Sequence, residues 1–319
     1  MTATSDISFG ATYGRVNGAI DPLVFVEQCE ALGFDSVWTP DVFHWPTPDP
    51  LIFLAGAAAK TSKVYLGTAV GVLPYRHPIL WAKAAVSLQQ LSHGRLILGV
   101  GIGGDFPQEL EMFGLRMKDR GKMSDETLAV IKRLLTEKKV THQGRFFQFQ
   151  DVTVGVPPEG VAQVPIWYGA EWHNGIADGV SVRTAKFCDG FIPLGVPADA
   201  YPEVREKIET YARQEGRDLS SFTWGLYLWC LLGDSWEEAR GEAERLLQVR
   251  SMMGADWRLE NPESYALGTP RDFIETIEKY ISAGVSHFII SPVCIGGQVM
   301  TQYETLAREV LPHFKKKSP

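Results

Sequence analysis

GRLILGVGIGG, residues 94–104, decides between two α/β folds, because its glycines follow the G-x-G-x-x-G spacing of a dinucleotide-binding loop. In a Rossmann fold this loop leads straight into a helix, and an acidic residue ends the next strand about 20 residues later. Here the glycines lead into DFPQELEMFG, and Asp119, near the right distance, precedes a helical stretch instead. The context favours another fold and leaves an NAD-dependent dehydrogenase as the weaker alternative. Glycines at a strand end also let a flat ligand approach the backbone closely.

Strand-like apolar runs alternate with amphipathic segments along the whole chain. The runs cover residues 7–13, 34–39, 64–70, 95–101, 164–170, 189–195, 222–232 and 285–292. Each is followed by a predicted helix, and Asp21-Pro22 and Gly33 have the residue types that begin and end the first of these helices. Continuously apolar strands are typical of parallel sheets buried on both faces. The pattern predicts α/β architecture with one (β/α)₈ TIM barrel domain over residues 1–319.

Two segments interrupt this repeat. Residues 139–154 alternate between polar and apolar side chains and predict a small hairpin excursion. Residues 248–268 predict a long loop or a lid-like insertion before the last βα unit.

Composition and charge limit the function classes. The chain has 319 residues, of which 45% are hydrophobic and 22% charged, as in ordinary globular proteins. Its net charge of -7 gives no basic field for nucleic acid or an anionic membrane. Neither a membrane-spanning run nor a signal peptide is apparent, so we expect a cytoplasmic enzyme. The cysteines lie in or beside apolar runs and predict buried thiols, and no histidine pattern predicts a metal site.

The chain resembles the luciferase-like superfamily of flavin-dependent oxidoreductases over almost its whole length. The resemblance rests on five blocks in the right order. They are LGFDSVWTPDVF (32–43), the stretch from VYLGTAV to GVGIGG (64–104), DRGKMSDETLAVIKRLL with HQGRFFQF (119–149), VPIWYGA with AKFCDGFIPLG (164–195), and GTPRDFIETIEKYISAGVSHFII with LAREVLP (268–312). Members of this superfamily are (β/α)₈ barrels that bind flavin mononucleotide (FMN) or the deazaflavin coenzyme F420.

The resemblance also implies which residues bind the cofactor. It places the ring near the end of the third strand, where deazaflavin members commonly have a non-proline cis peptide, here between Ala69 and Val70. It places the phosphate near WYGA and the helix after it, although Glu171 does not suit an anion there. The candidate cofactor-binding residues are Thr68, Ala69, Val70, Gly101, Gly104, Gly169 and Ala170, with Ser181 and Arg183 as possible side-chain helpers.

Asp41 and His44 are the candidate catalytic residues. The resemblance places an acidic residue beside the ring at Asp41, and a loop histidine could move a proton. Deazaflavin members frequently have Asp-His here, whereas Val42 follows Asp41, and His44 could equally pack among its aromatic neighbours. Some deazaflavin dehydrogenases have a catalytic glutamate where this chain has Gly104, which puts that acid–base mechanism in doubt.

The candidate substrate residues are Trp45, Trp172, His173 and Trp229, which fall at or beyond strand ends and favour an apolar or aromatic substrate. The resemblance implies an oxidoreductase that transfers hydride or activates oxygen for monooxygenation. Its coenzyme is F420 or FMN, and GTAV slightly favours F420. A non-catalytic flavin-binding barrel is the alternative. The apolar early helices favour a homodimer, as is usual in the family.

Overall fold

The structure is a computed structural model that describes residues 7–14, 20–43, 45, 47–104, 106–155, 163–251, 264–294 and 298–315. His44 and most of the predicted lid, residues 252–263, lie outside the described residues.

Eight parallel strands close into a barrel, as predicted. The strands of the described chain are β1 Ser8–Thr12, β2 Ser36–Thr39, β3 Tyr65–Thr68, β4 Gly71–Val72, β5 Leu96–Gly101, β6 Val140–Gln143, β7 Gln148–Val152, β8 Ile166–Tyr168, β9 Gly190–Phe191, β10 Thr223–Leu232, β11 Ala266–Gly268 and β12 His287–Pro292. The barrel order is β12-β1-β2-β3-β5-β8-β9-β10, and β10 pairs again with β12 to close it. The glycine run lies in and after β5 of this closed barrel, so the Rossmann dehydrogenase alternative is wrong.

Helices follow the barrel strands and pack around them. They are α1 Pro22–Ala31, α2 Pro50–Lys60, α3 Pro78–Leu91, α4 Pro107–Met112, α5 Arg120–Thr136, α6 Asp178–Phe187, α7 Tyr201–Gln214, α8 Trp236–Ser251, α9 Pro270–Ser282, α10 Gln298–Thr305 and α11 Leu311–Phe314. Asp21 accepts hydrogen bonds from two backbone amides of α1, and Asp49 does the same at α2. Gly33 has φ of 86°, which confirms the predicted left-handed stop.

Several boundaries differ from the sequence prediction. The predicted loop between β5 and α5 contains the short helix α4, and α5 begins at Arg120 rather than at Ser124. The predicted sixth strand shrinks to Gly190–Phe191, with Leu194 in isolated bridges beyond it. At the lid, α8 continues to Ser251 and β11 forms before α9. The hairpin is confirmed, because β6 and β7 pair antiparallel.

The lower interior of the barrel, which we call the floor, is filled by Trp38, Trp167 and His287. The indole rings of Trp38 and Trp167 lie 5.4 Å apart, and His287 packs edge-on against both. Glycines on neighbouring strands leave room for these rings, since a Cβ atom on Gly67 would lie 2.2 Å from the Trp38 ring. The floor is therefore a packed core of large rings against bare backbone.

Three further observations concern the described part of the chain. All four cysteines are buried and unbridged, as predicted. No helix there is long and apolar enough to cross a membrane. No group of three or more His, Cys, Asp or Glu side chains there could hold a metal ion.

Candidate active site

A cavity of about 690 Å³ opens above the floor, at the carboxyl ends of the barrel strands. Each barrel strand contributes to its wall, either with a residue of its own or with one of the two residues after it. Examples from the eight strands are Thr12, Asp41, Ala69, Gly101, Tyr168, Ile192, Trp229 and Pro292. In characterised TIM-barrel enzymes the active site lies at this end of the barrel. The cavity also lies within the roughly 300–1,000 Å³ range of cofactor and ligand sites.

Val70 forms the wall nearest the floor. The Ala69–Val70 peptide bond is cis, as the resemblance implied. A Cβ atom on Gly101 would lie 2.7 Å from a Val70 methyl group, and one on Gly169 would lie 2.4 Å from the other. These two glycines therefore make room for Val70. Ala69, Val70 and both glycines line the cavity.

Gly103 and Gly104 turn the backbone at another part of the wall. Their φ angles are 65° and 128°, in the region that side chains rarely adopt. The φ of Gly104 is what favours glycine there, since its 2.7 Å Cβ contact is only with the flexible end of Arg120. Backbone turns of this kind can present amide groups to an anion.

Arg120, the first residue of α5, brings a positive charge to this wall. Its guanidinium contacts the Met117 sulfur, and among the described residues no carboxylate lies within ion-pair distance of it. Sequence reasoning missed Arg120 as a site residue, although it lies in one of the quoted family blocks. A guanidinium at this position can pair with an anionic group in the cavity.

Asp41 lines the cavity and is almost completely buried. It accepts a hydrogen bond from the Val72 amide at 3.1 Å, and both of its oxygens accept from Arg76. Burial raises the pKa of Asp41, while the Arg76 guanidinium opposes that rise. Arg76 also donates to Asp49 at 2.6 Å and does not line the cavity, so it holds the loop beneath Asp41.

Glu109 and Tyr75 lie on the same wall, and sequence reasoning missed both. Glu109 of α4 is 1% exposed. One of its oxygens accepts from the Phe43 amide at 2.8 Å, and the other accepts from the Tyr75 hydroxyl at 2.8 Å. Their separation of 34 residues left no local signal in the sequence.

Three predicted cofactor residues lie behind the cavity wall. The Thr68 hydroxyl donates to the Gly99 carbonyl at 2.5 Å, and Ser181 is fully buried in α6. Arg183 donates to Asp125 at 2.6 Å and to the Tyr168 hydroxyl at 2.8 Å, which ties α6 to α5 and β8. The structure does not bring Thr68, Ser181 or Arg183 to the cavity surface.

Tyr168 does line the cavity, and burial raises its pKa to about 12. Its hydroxyl therefore stays protonated at neutral pH while it accepts from the buried Arg183.

Some of the predicted substrate residues line the cavity and one does not. The cavity wall includes Trp45, His173 and Trp229, whereas Trp172 packs against the core outside it. Ala170 also lines the cavity. His173 lies 3.6 Å from Glu171, and both are exposed at the rim.

Sequence comparisons identify the family. The model of luciferase-like monooxygenases matches residues 17–287. A limonene 1,2-monooxygenase of Rhodococcus erythropolis is 35% identical, over 92% of this chain and 80% of that protein. An F420-dependent glucose-6-phosphate dehydrogenase of Kineococcus radiotolerans is 34% identical, over 60% of this chain, and the match spans 59% of that relative's length. A 4-hydroxyprotoasukamycin monooxygenase of Streptomyces nodosus is likewise matched over 60% of its length.

Solved structures share the barrel fold of this chain. An F420-dependent secondary alcohol dehydrogenase, solved with an F420–acetone adduct, has a TM-score of 0.80 at 21% identity, covering 98% of this chain and 100% of that chain. A monooxygenase from Streptomyces bottropensis has a TM-score of 0.82 at 22% identity, covering 97% of this chain and 100% of that chain. The resemblance read from the sequence is confirmed. The chain belongs to the luciferase-like monooxygenase family.

Proposed function

We propose that the cavity binds FMN or coenzyme F420 and that the protein oxidises or oxygenates a small, mainly apolar organic substrate beside it. The observation that carries this proposal is the lining of the cavity. It includes the Arg120 guanidinium, the turned backbone at Gly103 and Gly104, and the buried Asp41 carboxylate. Relatives named as F420-dependent enzymes and as monooxygenases support the choice of coenzymes.

The residues present fit a phosphate-bearing tricyclic coenzyme. A volume of about 690 Å³ accommodates three fused rings with room for a substrate. Arg120 and the backbone at Gly103 and Gly104 would hold the phosphate, assisted by the start of α6 near Ala177, which lines the cavity. Ala69 and Val70 would form the apolar surface against which the ring rests.

When bound, such a coenzyme supplies hydride transfer or oxygen activation. The protein's own residues position the reactants and exclude water. Asp41, held by Arg76 and the Val72 amide, places a fixed negative charge or a hydrogen-bond acceptor in the wall. We propose His44 as a group that moves a proton in the same loop, although it lies outside the described residues.

The substrate side of the cavity is aromatic. Trp45, Phe106, Tyr227 and Trp229 line it, and the Trp45 and Phe106 rings lie 6.1 Å apart. Large rings with few charges suit an apolar or aromatic substrate, which gains affinity from burial.

Absorbance and fluorescence titrations of the purified protein with FMN and with F420 test this function. We expect one of the two coenzymes to bind with a micromolar or lower Kd. We also expect the bound coenzyme, supplied in its reduced or its oxidised form, to turn over with alcohols, aldehydes or aromatic acceptors. Binding without any turnover across that screen would favour the non-catalytic flavin-binding alternative. If neither coenzyme binds at micromolar concentration, the proposal is wrong.

We also propose a homodimer formed through α1, α2 and α3. The third residue of each helix is an exposed aliphatic side chain, and these are Val24 (44% exposed), Ile52 (72%) and Leu80 (60%). Burial of these side chains against a second copy is favourable. Sedimentation is expected to show a dimer that Ile52→Glu with Leu80→Glu converts to monomer, and a strictly monomeric wild type contradicts it.

A further inference from the structure

Tyr75 and Glu109 form a hydrogen-bonded pair on the cavity wall. Tyr75 ends a short 3₁₀ turn, Leu73–Tyr75, and Glu109 lies in the first turn of α4. The hydroxyl donates to Oε2 of Glu109 at 2.8 Å, and both residues line the cavity. The carboxylate is withdrawn from bulk water, since Glu109 is only 1% exposed.

Packing holds this pair in one arrangement. The Phe43 amide donates to Oε1 of Glu109 at 2.8 Å and so fixes the plane of the carboxylate. The Tyr75 ring packs edge-on against Phe43 at 5.2 Å and lies 5.0 Å from the Phe113 ring. A hydroxyl and a carboxylate held in this way need little reorganisation when a ligand arrives.

We propose that the Tyr75–Glu109 pair binds a hydroxyl group of the substrate and takes its proton. The substrate O–H bond breaks as its proton passes to the Tyr75 oxygen, and the proton of Tyr75 passes to Oε2 of Glu109. The substrate oxygen keeps the two electrons of the broken O–H bond. Glu109 then carries the added proton, and Tyr75 is again a neutral hydroxyl. This inference takes one point from the proposed function, namely that the cavity receives the substrate.

Four other ionisable groups of the described cavity wall are less suited to this task. Asp41 is held in an ion pair by the Arg76 guanidinium, which favours its charged form over a protonated one. The Tyr168 hydroxyl accepts from Arg183. Glu171 and His173 are exposed at the rim, where water competes for their hydrogen bonds. The Tyr75–Glu109 pair combines a donor and acceptor hydroxyl with a shielded base, which is the arrangement of a proton relay.

The pair also narrows the substrate class. A relay of this kind serves an alcohol or a phenol, because only a hydroxyl both donates a proton to Tyr75 and retains an oxygen that can become a carbonyl or phenolate. Trp45 and Phe106 on the same cavity lining suit an apolar or aromatic body attached to that hydroxyl. We therefore infer an apolar alcohol or phenol as the substrate class.

The probe for this inference is 4-fluorophenol, because its ¹⁹F chemical shift reports ionisation without overlapping coenzyme absorbance. The probe is titrated at pH 7, where free phenols are neutral with a pKa of about 10. The proteins are the wild type, Tyr75→Phe and Glu109→Gln, each with and without saturating coenzyme. Glutamine keeps an oxygen for the Phe43 amide, so the loop contact is retained. Tyr280→Phe is the matched control, since the Tyr280 hydroxyl donates to the Val196 carbonyl at 2.8 Å away from the cavity.

We expect wild type and Tyr280→Phe to shift the ¹⁹F resonance of the bound probe part of the way toward the phenolate position, because its hydroxyl donates a hydrogen bond to Tyr75. Tyr75→Phe is expected to bind it about tenfold more weakly, the loss of one hydrogen bond, and Glu109→Gln to bind it with a smaller shift. An unshifted probe in the wild type, an equal shift in Glu109→Gln, or wild-type affinity in Tyr75→Phe each overturns the inference.

Coenzyme affinity measured in parallel keeps the two proposals apart. Unchanged coenzyme binding in both variants is expected, because the pair is assigned to the substrate. If the wild type binds no coenzyme, the proposed function fails, while the coenzyme-free titrations still decide whether the pair takes the proton. If Glu109→Gln does not fold, the affinity of Tyr75→Phe decides alone.

Discussion

The floor of the barrel and its mouth, the end that surrounds the cavity, are built by the same eight strands. Side chains fill the interior at the floor but leave it open at the mouth. At the floor, Trp38 and Trp167 fill the interior and Gly67 makes room for them. At the mouth, residues at the strand ends surround a cavity of about 690 Å³. Ala69, Val70 and Tyr227 separate the two, since they pack on the floor cluster and also line the cavity.

Glycine has a different role at the floor and at the mouth. Gly67 at the floor has no room for a Cβ atom because a tryptophan ring lies against it. Gly103 and Gly104 at the mouth have positive φ angles that let the backbone turn into the cavity. Stability should therefore depend on the floor and ligand affinity on the mouth, and each prediction below tests one side of that division.

The largest expected effect is at the floor. Trp38→Ala should lower the free energy of unfolding by about 4 kcal/mol, because it removes a fully buried ring and leaves a cavity between strands. Chemical denaturation measures this change. Trp236→Ala, at a ring that is 37% exposed on α8, is the control and should cost less than about 1 kcal/mol. Equal losses in the two variants would contradict the assignment of the floor as the stabilising layer.

A smaller effect is expected at the mouth. Arg120→Gln should weaken the binding of the phosphate-bearing coenzyme about 30-fold, or about 2 kcal/mol, because it removes a charged hydrogen-bond donor. Affinity for the phosphate-free form of the same coenzyme, riboflavin in the case of FMN, should stay the same. Arg271→Gln, at a side chain that is 87% exposed, serves as the control. Parallel losses for both coenzyme forms would show that Arg120 does not meet the phosphate.

The smallest expected effect is the pH dependence of the floor. Burial lowers the pKa of His287 to about 3, so this ring stays neutral in the folded protein while the unfolded chain takes up a proton below about pH 6.5. Stability from this group is therefore complete above pH 6.5 and falls as the pH decreases toward 3. We expect a loss of about 1.5 kcal/mol between pH 6.5 and pH 5.

His287→Gln is the matched variant for that measurement. It should be less stable at pH 7, because His287 contacts the Ser36 hydroxyl at 3.1 Å and packs on two tryptophans. Its free energy of unfolding should nevertheless fall less steeply with acid than that of the wild type. Identical slopes would mean that another group sets the acid sensitivity.

The barrel was predictable because its signals are local. Apolar runs mark the strands, and Asp21 and Asp49 mark helix starts by residue type alone. The cis bond at Ala69–Val70 and the cavity position of Asp41 followed from a family resemblance attached to particular residues. Trp45 and Trp229 were expected at the cavity because they fall at or beyond strand ends.

The rest of the site depends on which loops meet. Tyr75 and Glu109 are 34 residues apart, and nothing near either one indicates that they pair. Arg183 has the charge expected of a phosphate ligand, but the packing of α6 on α5 directs it to Asp125 and Tyr168 instead. Residue type shows what a side chain can bind, whereas tertiary packing decides what it reaches.

A crystal structure of the protein soaked with F420 and, separately, with FMN tests the central claim most directly. We predict density for three fused rings in the mouth cavity, against Val70 and above the tryptophan floor, with the phosphate beside Arg120 and Gly104. Bound coenzyme located outside this cavity, or a ring whose phosphate lies away from Arg120, would contradict the account.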